Sequence, residues 1–434
     1  MKFLALATLM ASSLCAADFS GEWIAEISSG GGDPQYARVV LKADGAKLSG
    51  TWNGSPIEGA VSAPGSGPEA ITLTVPGGSL TAKVAGTDWK GSGKMAIRQR
   101  QNDAPEPQQV AFRLTKIPPA PPSPRTLDFA PKEFQRYYSA SIPPVLHLFP
   151  KDTVRTYTID AGGLDSKLQR RSPGGNAETG PFYIEGALPG DTLLVHLNKL
   201  NLNRATARQG NRINGKAVTP AYNAGAKYTE GFNSEWTLDR AAGVARLSHP
   251  TDRLKNFTIP LKPMIGCLAT APAGNLVYRA TDLGPFGGNM DYNEMGEGAT
   301  LYLPVFHPGA LFFLGDTHAA MGDAELTGSA LETSMDVEFT VDLIKGSQTV
   351  GPRLENADYL MSMGIAGSVP DSIQIATSQL ATWLKDTYKL NDSEVAVLLG
   401  AIAKYDITEL VDSSYNVVAK VPKTALASLT ASDH

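Results

Sequence analysis

The chain has 434 residues, a net charge of -5 and 42% apolar residues. This composition argues against global disorder and allows two or three domains. The charge is mild and no Lys/Arg run would suit a phosphate backbone, so we expect no nucleic-acid partner. Glycine and proline are abundant, at 43 and 30 residues, which indicates many tight turns and a β-rich fold.

Residues 1–17 have the pattern of a secretory signal peptide. Lys2 precedes an apolar run over residues 3–14, about half the length that a membrane-spanning helix needs, and small residues follow. We therefore expect cleavage near residues 16–17 and export to the periplasm or the extracellular medium. The alternatives are a short buried strand or helix and a lipid anchor at Cys15. Later segments are too short or too polar to span a bilayer.

Residues 18–117 have the alternation of a small antiparallel β-domain, either a barrel or a sandwich. Alternating runs such as residues 36–42 are separated by turn signals. Trp23, Trp52 and Trp89 stand in successive strands of this pattern. We interpret them as core residues, and a ligand cup that they line is the alternative.

A proline-rich linker, residues 118–144, separates this domain from the rest of the chain. Short strands and Gly/Pro loops continue to about residue 350. Two helical patterns follow, over residues 371–389 with Asp371 as the cap, and over residues 393–404. Strands followed by helices predict a mostly β or α+β class and not a doubly wound sheet.

The glycine-rich segment 284–291 is the first of two segments that crowd polar groups together. Gly287 and Gly288 allow backbone to approach a ligand closely, and Asn289 and Asp291 bring an amide and a carboxylate to the same place. We therefore expect Gly287, Gly288 and Asn289 to contact a bound ligand.

The second segment, residues 315–325, follows an apolar strand. Asp316 and His318 share one face of an extended chain, and Asp323 and Glu325 repeat that spacing after a turn. One imidazole with carboxylates suits zinc or another divalent cation that keeps an open coordination position. Such a cation would polarise an amide carbonyl and activate bound water. Asp316, Asp323 or Glu325 would then act as the general base.

Other interpretations of these residues stay open. A D-x-H pair on a strand is as often a hydrogen-bonded structural pair, and calcium held by turn carboxylates is an alternative to zinc. Nucleophilic catalysis is less consistent with the chain, because it has no G-x-S-x-G elbow. Cys267 lies in an apolar stretch, which is typical of a core thiol.

Over residues 145–425 the chain resembles the acetamidase/formamidase family. The family's blocks occur here in order, at residues 179–187, 189–193, 259–266, 287–291, 296–305, 315–325 and 420–423. The resemblance implies that short aliphatic amides such as formamide or acetamide are hydrolysed to a carboxylic acid and ammonia. The protein would then be an amidase acting on linear carbon–nitrogen bonds other than peptide bonds.

The resemblance also implies a β-sandwich-based fold with flanking helices and a homo-oligomer, a dimer or tetramer. It implies divalent-metal sites, for zinc or calcium, built from acidic residues and histidine. Carried over by motif position, Asp291, Asp316, His318 and Glu325 are active-site residues. Asp160 joins Asp291, Asp316 and His318 as an expected metal ligand.

Two alternative functions remain at this point. The first is an exported carbohydrate- or surface-binding protein with a divergent or inactive hydrolase domain, since a β-domain joined by a proline-rich spacer is typical of binding modules. The second is another metal-dependent hydrolase, such as an esterase, which would share the same chemistry.

Overall fold

A computed structural model of the chain describes residues 19–427 and 429, except residues 31, 63–69, 85 and 98–103. The expected signal peptide and its cleavage site lie outside the described residues. The chain divides into two compact units, one up to Pro119 and the other from Ala120 onward.

The first unit is a closed antiparallel barrel. Each of its eight strands pairs with the next along the chain, and the last pairs with the first. The strands are β1 (Gly21–Ser28), β2 (Gln35–Asp44), β3 (Lys47–Trp52), β4 (Ser55–Val61), β5 (Ala70–Val75), β6 (Gly78–Lys83), β7 (Asp88–Ile97) and β8 (Glu106–Lys116). A barrel of this kind leaves no free sheet edge.

The three tryptophans of this unit are buried in the barrel core, as the sequence predicts. The rings of Trp23 and Trp89 have centroids 3.8 Å apart. Their indole nitrogens donate to the carbonyl oxygens of Phe19 and Gly86, at 3.2 and 3.0 Å. The tryptophans, with Trp52, therefore fill the interior and do not form an exposed binding surface.

The second unit consists mostly of strands. They are β9 (Thr126–Asp128), β10 (Tyr137–Tyr138), β11 (Leu146–Leu148), β12 (Thr153–Tyr157), β13 (Thr179–Ile184), β14 (Thr192–Leu202), β15 (Thr206–Arg208), β16 (Glu235–Asp239), β17 (Val244–Leu247), β18 (Thr258–Pro260), β19 (Met264–Ala269), β20 (Tyr278–Arg279), β21 (Leu283–Gly284), β22 (Gly287–Asn289), β23 (Thr300–Pro304), β24 (Phe312–His318), β25 (Glu332–Thr333), β26 (Met335–Ile344), β27 (Arg353–Glu355), β28 (Tyr359–Ala366), β29 (Lys404–Glu409) and β30 (Tyr415–Pro422). Its helices are α1 (Pro220–Gly225), α2 (Val369–Tyr388), α3 (Asp392–Ile402) and α4 (Lys423–Leu426), with 3₁₀ turns at Gly215–Ala217 and Asp323–Glu325. Within the described part of the chain, no helix has both the length and the apolar character that crossing a bilayer requires.

Two large sheets of this unit share one apolar core. The first has the order β18-β17-β16-β15-β25-β24-β19-β22-β21, with β13 also paired to β24 and β11 to β13. The second has the order β29-β30-β28-β27-β23-β14-β26-β12-β9. Phe182 and Phe312 of the first sheet contact Phe339 of the second, with ring centroids 5.3 and 5.4 Å apart. The expected mostly β, sandwich-type class with C-terminal helices is confirmed.

Helices α2 and α3 lie close to the predicted positions. The N-cap of α2 is Ser368, whose hydroxyl accepts from the backbone N–H of Asp371, so the predicted cap at Asp371 is wrong by three residues. Asn391 caps α3 in a capping box with Glu394. The apolar face of α2 packs on β28 and β30, where Leu380 joins a cluster of buried side chains.

Candidate active site

Strand β24 turns its last residues away from the sandwich core. Phe312 and Leu314 point into the core. If side chains alternated regularly along the strand, His318 would point into the core as well. A left-handed φ of 52° at Asp316 interrupts the alternation. Because Thr317 pairs with the core residue Ile265, His318 faces the opposite side of the sheet.

His318 is fully buried among carboxylates. Its Nδ1 lies 3.9 Å from Oδ1 of Asp291, and its Nε2 lies 3.4 Å from Oδ1 of Asp316 and 3.2 Å from Oε1 of Glu332. Ligating atoms of Asp291, His318 and Glu325 all lie within 4.8 Å of one another. The structure therefore brings together the two glycine-rich segments that the sequence singles out.

Asp291 is held in place from two sides. The carbonyl oxygen of Met290 accepts from Oγ1 of Thr408 at 3.1 Å and from Nδ2 of Asn416 at 2.9 Å, which fixes the preceding peptide to the β29–β30 hairpin. On the other side, a Cβ on Gly266 would lie 2.3 Å from Oδ1 of Asp291. Only glycine at position 266 leaves room for this carboxylate.

The β29–β30 hairpin adds two further carboxylates. Ligating atoms of Glu409, Asp412 and Asp291 lie within 4.8 Å of one another. Nδ2 of Asn289 donates to Oδ2 of Asp412, and Oδ1 of Asn289 accepts from Nδ2 of Asn176 at 2.8 Å. Asn289 thus links the hairpin to the loop before β13.

A polar layer lies behind Asp316. Nδ2 of Asn176 donates to Oδ2 of Asp316 at 2.9 Å, and Sγ of Cys267 lies 3.8 Å from the same oxygen. The Cys267 thiol also donates to Oδ1 of Asn289 at 2.9 Å, so the predicted core thiol borders the site. Glu178 is fully buried, and its carboxylate lies so close to Gly315 that a Cβ there would be 2.6 Å away.

Several buried side-chain nitrogen and oxygen atoms of the cluster have no hydrogen-bond partner in the described part of the chain. They are both carboxylate oxygens of Asp291, both ring nitrogens of His318, Oδ1 of Asp316 and Oε2 of Glu332. Their mutual contacts are short but lack hydrogen-bond alignment. Buried polar groups that are left uncompensated are costly, so protons or a cation must balance them.

Burial raises the pKa values of several carboxyl groups of the cluster, among them Asp291, Glu332 and Glu409. It raises the pKa of Glu332 to about 7, although His318 acts against this, and the pKa of Glu409 to about 8. Burial and the nearby charge of Glu325 raise the pKa of Asp291 well above its usual range. Burial lowers the pKa of His318, but Glu332 and other carboxylates outweigh it, and the net pKa is raised. The site accordingly holds protons where a cation is not bound.

Two residues with expected roles lie outside this cluster. The carboxylate of Asp160 accepts from Nη1 of Arg204 at 2.7 Å and from the N–H of Leu164 at 2.8 Å. Asp323 is exposed, and its Oδ1 accepts from Nδ2 of Asn293 at 2.7 Å. Neither Asp160 nor Asp323 belongs to the groups of residues around His318 whose potential metal-ligating atoms lie within 4.8 Å of one another.

The paired glycines pack against backbone. A Cβ on Gly287 would lie 2.2 Å from the carbonyl oxygen of Leu268, and one on Gly288 would lie 2.3 Å from that of Asp282. Both residues are buried, with φ values of 95° and 104°. The structure thus gives these glycines a role in close strand packing, and it is Asn289 that reaches the site.

Sequence reasoning missed four carboxylates of the cluster, which are Glu178, Glu332, Glu409 and Asp412. They come from separate strands and loops, so no local spacing connects them. One sequence signal could have found Glu332. It is an acidic residue that directly follows a run of small and apolar residues, 328–331, and begins a strand.

The chain is similar to known proteins in sequence and in fold. Residues 284–373 match the model of the Acetamidase/Formamidase family. A stretch of 221 residues is 26% identical to an acetamidase of Mycolicibacterium smegmatis and covers 39% of this chain and 53% of that protein. The match thus spans about half the length of this relative.

Two solved structures share the fold. The acetamidase from Yersinia enterocolitica has a TM-score of 0.59 and 29% identity, covering 70% of this chain and 93% of its own. A predicted acetamidase/formamidase from Thermoanaerobacter tengcongensis has a TM-score of 0.59 and 27% identity, covering 71% and 99%. In local sequence and in fold, this chain is similar to members of the acetamidase/formamidase family, and the predicted resemblance is confirmed.

Proposed function

We propose that the protein is an amidase that hydrolyses short aliphatic primary amides, of the formamide and acetamide type, to a carboxylic acid and ammonia. The similarity to acetamidases supports this class of reaction. One observation in the site carries the proposal. The nitrogens of His318 converge with carboxylate oxygens of Asp291, Asp316 and Glu332 in a buried space. Both ring nitrogens, both oxygens of Asp291 and Oδ1 of Asp316 have no hydrogen-bond partner among the described residues.

A divalent cation, zinc or calcium, fits this set of donors. His318 with Asp291 and Glu325, or with Asp316 and Glu332, would hold it. Nitrogen and carboxylate ligands together are typical of zinc, whereas calcium takes oxygen ligands. When bound, the cation would polarise the amide carbonyl and lower the pKa of a bound water.

Where Asp291, His318 and Glu325 hold the cation, Glu332 is not a ligand, and we assign it as the general base. It contacts His318, yet 12% of its side chain is exposed, so it can meet water and substrate. Its carboxylate would take a proton from the attacking water and return it to the leaving nitrogen as the C–N bond breaks. Glu332 thus replaces Asp316, Asp323 and Glu325, which the sequence analysis predicts as candidates for the general base.

His318→Ala tests the proposal. Removing the central ligand should lower the rate of ammonia release from acetamide at least about a hundredfold. The assay uses the purified full chain, stripped of metal and then supplied with zinc, manganese or calcium. His196→Ala is the matched control, because His196 is exposed and contacts Thr300 outside the site.

Two outcomes would contradict the proposal. One is that the wild-type protein, supplied with each cation in turn, releases no ammonia from formamide, acetamide or propionamide. The other is that His318→Ala is as active as His196→Ala, which would place the chemistry elsewhere in the protein.

A further inference from the structure

A row of paired residues leads from His318 to the surface across four strands. His318 on β24 pairs with Glu332 on β25, Glu332 pairs with Arg208 on β15, and Arg208 pairs with Glu235 on β16. Residues paired directly in antiparallel strands project from the same face of the sheet. Trp236, next to Glu235, points into the sandwich core, so the row lies on the opposite face.

A cleft of about 600 Å³ opens over this row. Arg208, Glu235 and Glu332 line it, together with polar residues that include Gln209 and Ser234. The volume is within the range of roughly 300–1,000 Å³ that is usual for small-molecule sites, and it is far more than formamide or acetamide would fill. Because Glu332 belongs to both the cleft and the buried cluster, a molecule in the cleft can contact the carboxylate that we assign as general base.

Arg208 is the cationic side chain among the described residues that line this cleft, and its strand neighbours Glu235 and Glu332 form no ion pair with it in the described part of the chain. It is exposed, and its guanidinium makes no ion pair or hydrogen bond among the residues described by the structure. Arg204, four residues earlier, is by contrast buried and fully engaged with Asp160 and the carbonyl oxygen of Glu332. A free guanidinium presents the planar donor pair that matches a carboxylate.

The spacing suits a short substrate with two functional ends. Strands β15 and β24 are separated only by β25. Two strand spacings put the backbones of Arg208 and His318 roughly 10 Å apart. The arginine side chain is long, so its guanidinium can lie closer to His318 than its backbone does. A substrate with a chain of a few carbons would then reach from the reacting groups to the guanidinium.

We infer that this cleft binds the acyl side of the substrate and that Arg208 recognises a carboxylate there. The substrate class is then the half-amides of short dicarboxylic acids, in which one end is a primary amide and the other a free carboxylate. This inference rests on the proposed amidase function and names the substrates that the site prefers.

The test compares succinamate with butyramide, in which a methyl group replaces the carboxylate. The wild-type full chain, supplied with its cation, should have at least a tenfold higher kcat/KM for succinamate. Arg208→Gln should remove this preference by raising KM for succinamate, with a much smaller effect on kcat and on KM for butyramide. Arg208→Lys should restore part of the preference. Arg246→Gln is the matched control, because Arg246 is also on the surface but pairs with Asp239.

Each contrary result has a distinct meaning. If the wild-type protein hydrolyses butyramide as well as succinamate and Arg208→Gln changes neither, the inference is overturned and the amidase function stands. If neither amide is hydrolysed, the release of ammonia from formamide, acetamide and propionamide still tests the proposed function separately, and calorimetric titration with succinate decides the inference. Binding that is lost in Arg208→Gln supports a carboxylate site, and the absence of binding overturns it.

Discussion

Buried carboxyl groups crowd around His318, and their charge has to be balanced inside the protein. Glu332 and Glu409 illustrate the problem, because each has an oxygen without a hydrogen-bond partner in the described part of the chain. In low-dielectric surroundings, such groups either stay protonated or bind a cation. The pKa values of Glu332 and Glu409 are raised to about 7 and about 8, so both carboxyl groups tend to stay protonated when no cation is bound.

The metal-free protein should therefore lose stability as pH rises. Glu332 and Glu409 have folded-state pKa values raised above the unfolded value of about 4.3. Their contribution to stability is fully present below that unfolded value and is lost as pH rises through about 7 to 8. The free energy of unfolding in urea, measured after chelation at pH 5, 7 and 8.5, should fall along this series.

Glu409→Gln supplies the control for this pH series. It removes one of the buried acids, so the decline with pH should be shallower than in the wild type. Added zinc or calcium should also reduce the decline, because a cation replaces the protons. A free energy of unfolding that is constant or higher at pH 8.5 in the metal-free wild type would contradict the account.

Among the structural elements, the approach of β19 to β24 and to the turn after β22 creates the site. Gly266 of β19 lies beneath two carboxylates, since its hypothetical Cβ would be 2.3 Å from Oδ1 of Asp291 and 3.0 Å from Oδ2 of Asp316. The side chains of Asp291 and Asp316 can converge because this strand position carries no side chain of its own.

Gly266→Ala should separate these carboxylates. Cation affinity and the rate of ammonia release should each fall at least about tenfold, since displacing a ligand or its support weakens a metal site by about that much or more. Gly367→Ala is the control, because a Cβ at position 367 would meet nothing within 4 Å. Isothermal titration with zinc or calcium measures the effect, and equal affinities in the two variants would contradict this role of Gly266.

The sequence predicts elements well where the signal is local. The helical periodicity locates α2 and α3 to within two residues at each end. The cap of α2 was misassigned because Ser368 and Asp371 are both good capping residues, and only the backbone shows which one precedes the first turn.

The site was predictable only in part. Asp291, Asp316, His318 and Glu325 lie in two short glycine-rich segments, so residue types and spacing point to them. Glu332 and the acidic residues of the β29–β30 hairpin join the site through strand pairing and hairpin packing, which involve residues far apart in the chain. The ion pair between Asp160 and Arg204 depends on the same kind of long-range contact.

For the whole molecule, the two units have separate cores. The barrel core contains Trp23 and its neighbours, whereas the sandwich core contains Phe182, Phe312 and Phe339. The similar solved structures cover about 70% of this chain and nearly all of their own length, so part of this chain is additional to the shared fold. Export and a homo-oligomeric state remain predictions for the complete protein.

The central claim is that a cation held around His318 enables this protein to hydrolyse amides. The most direct measurement is the rate of ammonia release from acetamide by the full chain, before and after chelation and after zinc, manganese or calcium is returned. Chelation should abolish activity, and at least one of these cations should restore it. Full activity in the chelated protein, with no metal found by elemental analysis, would contradict the claim.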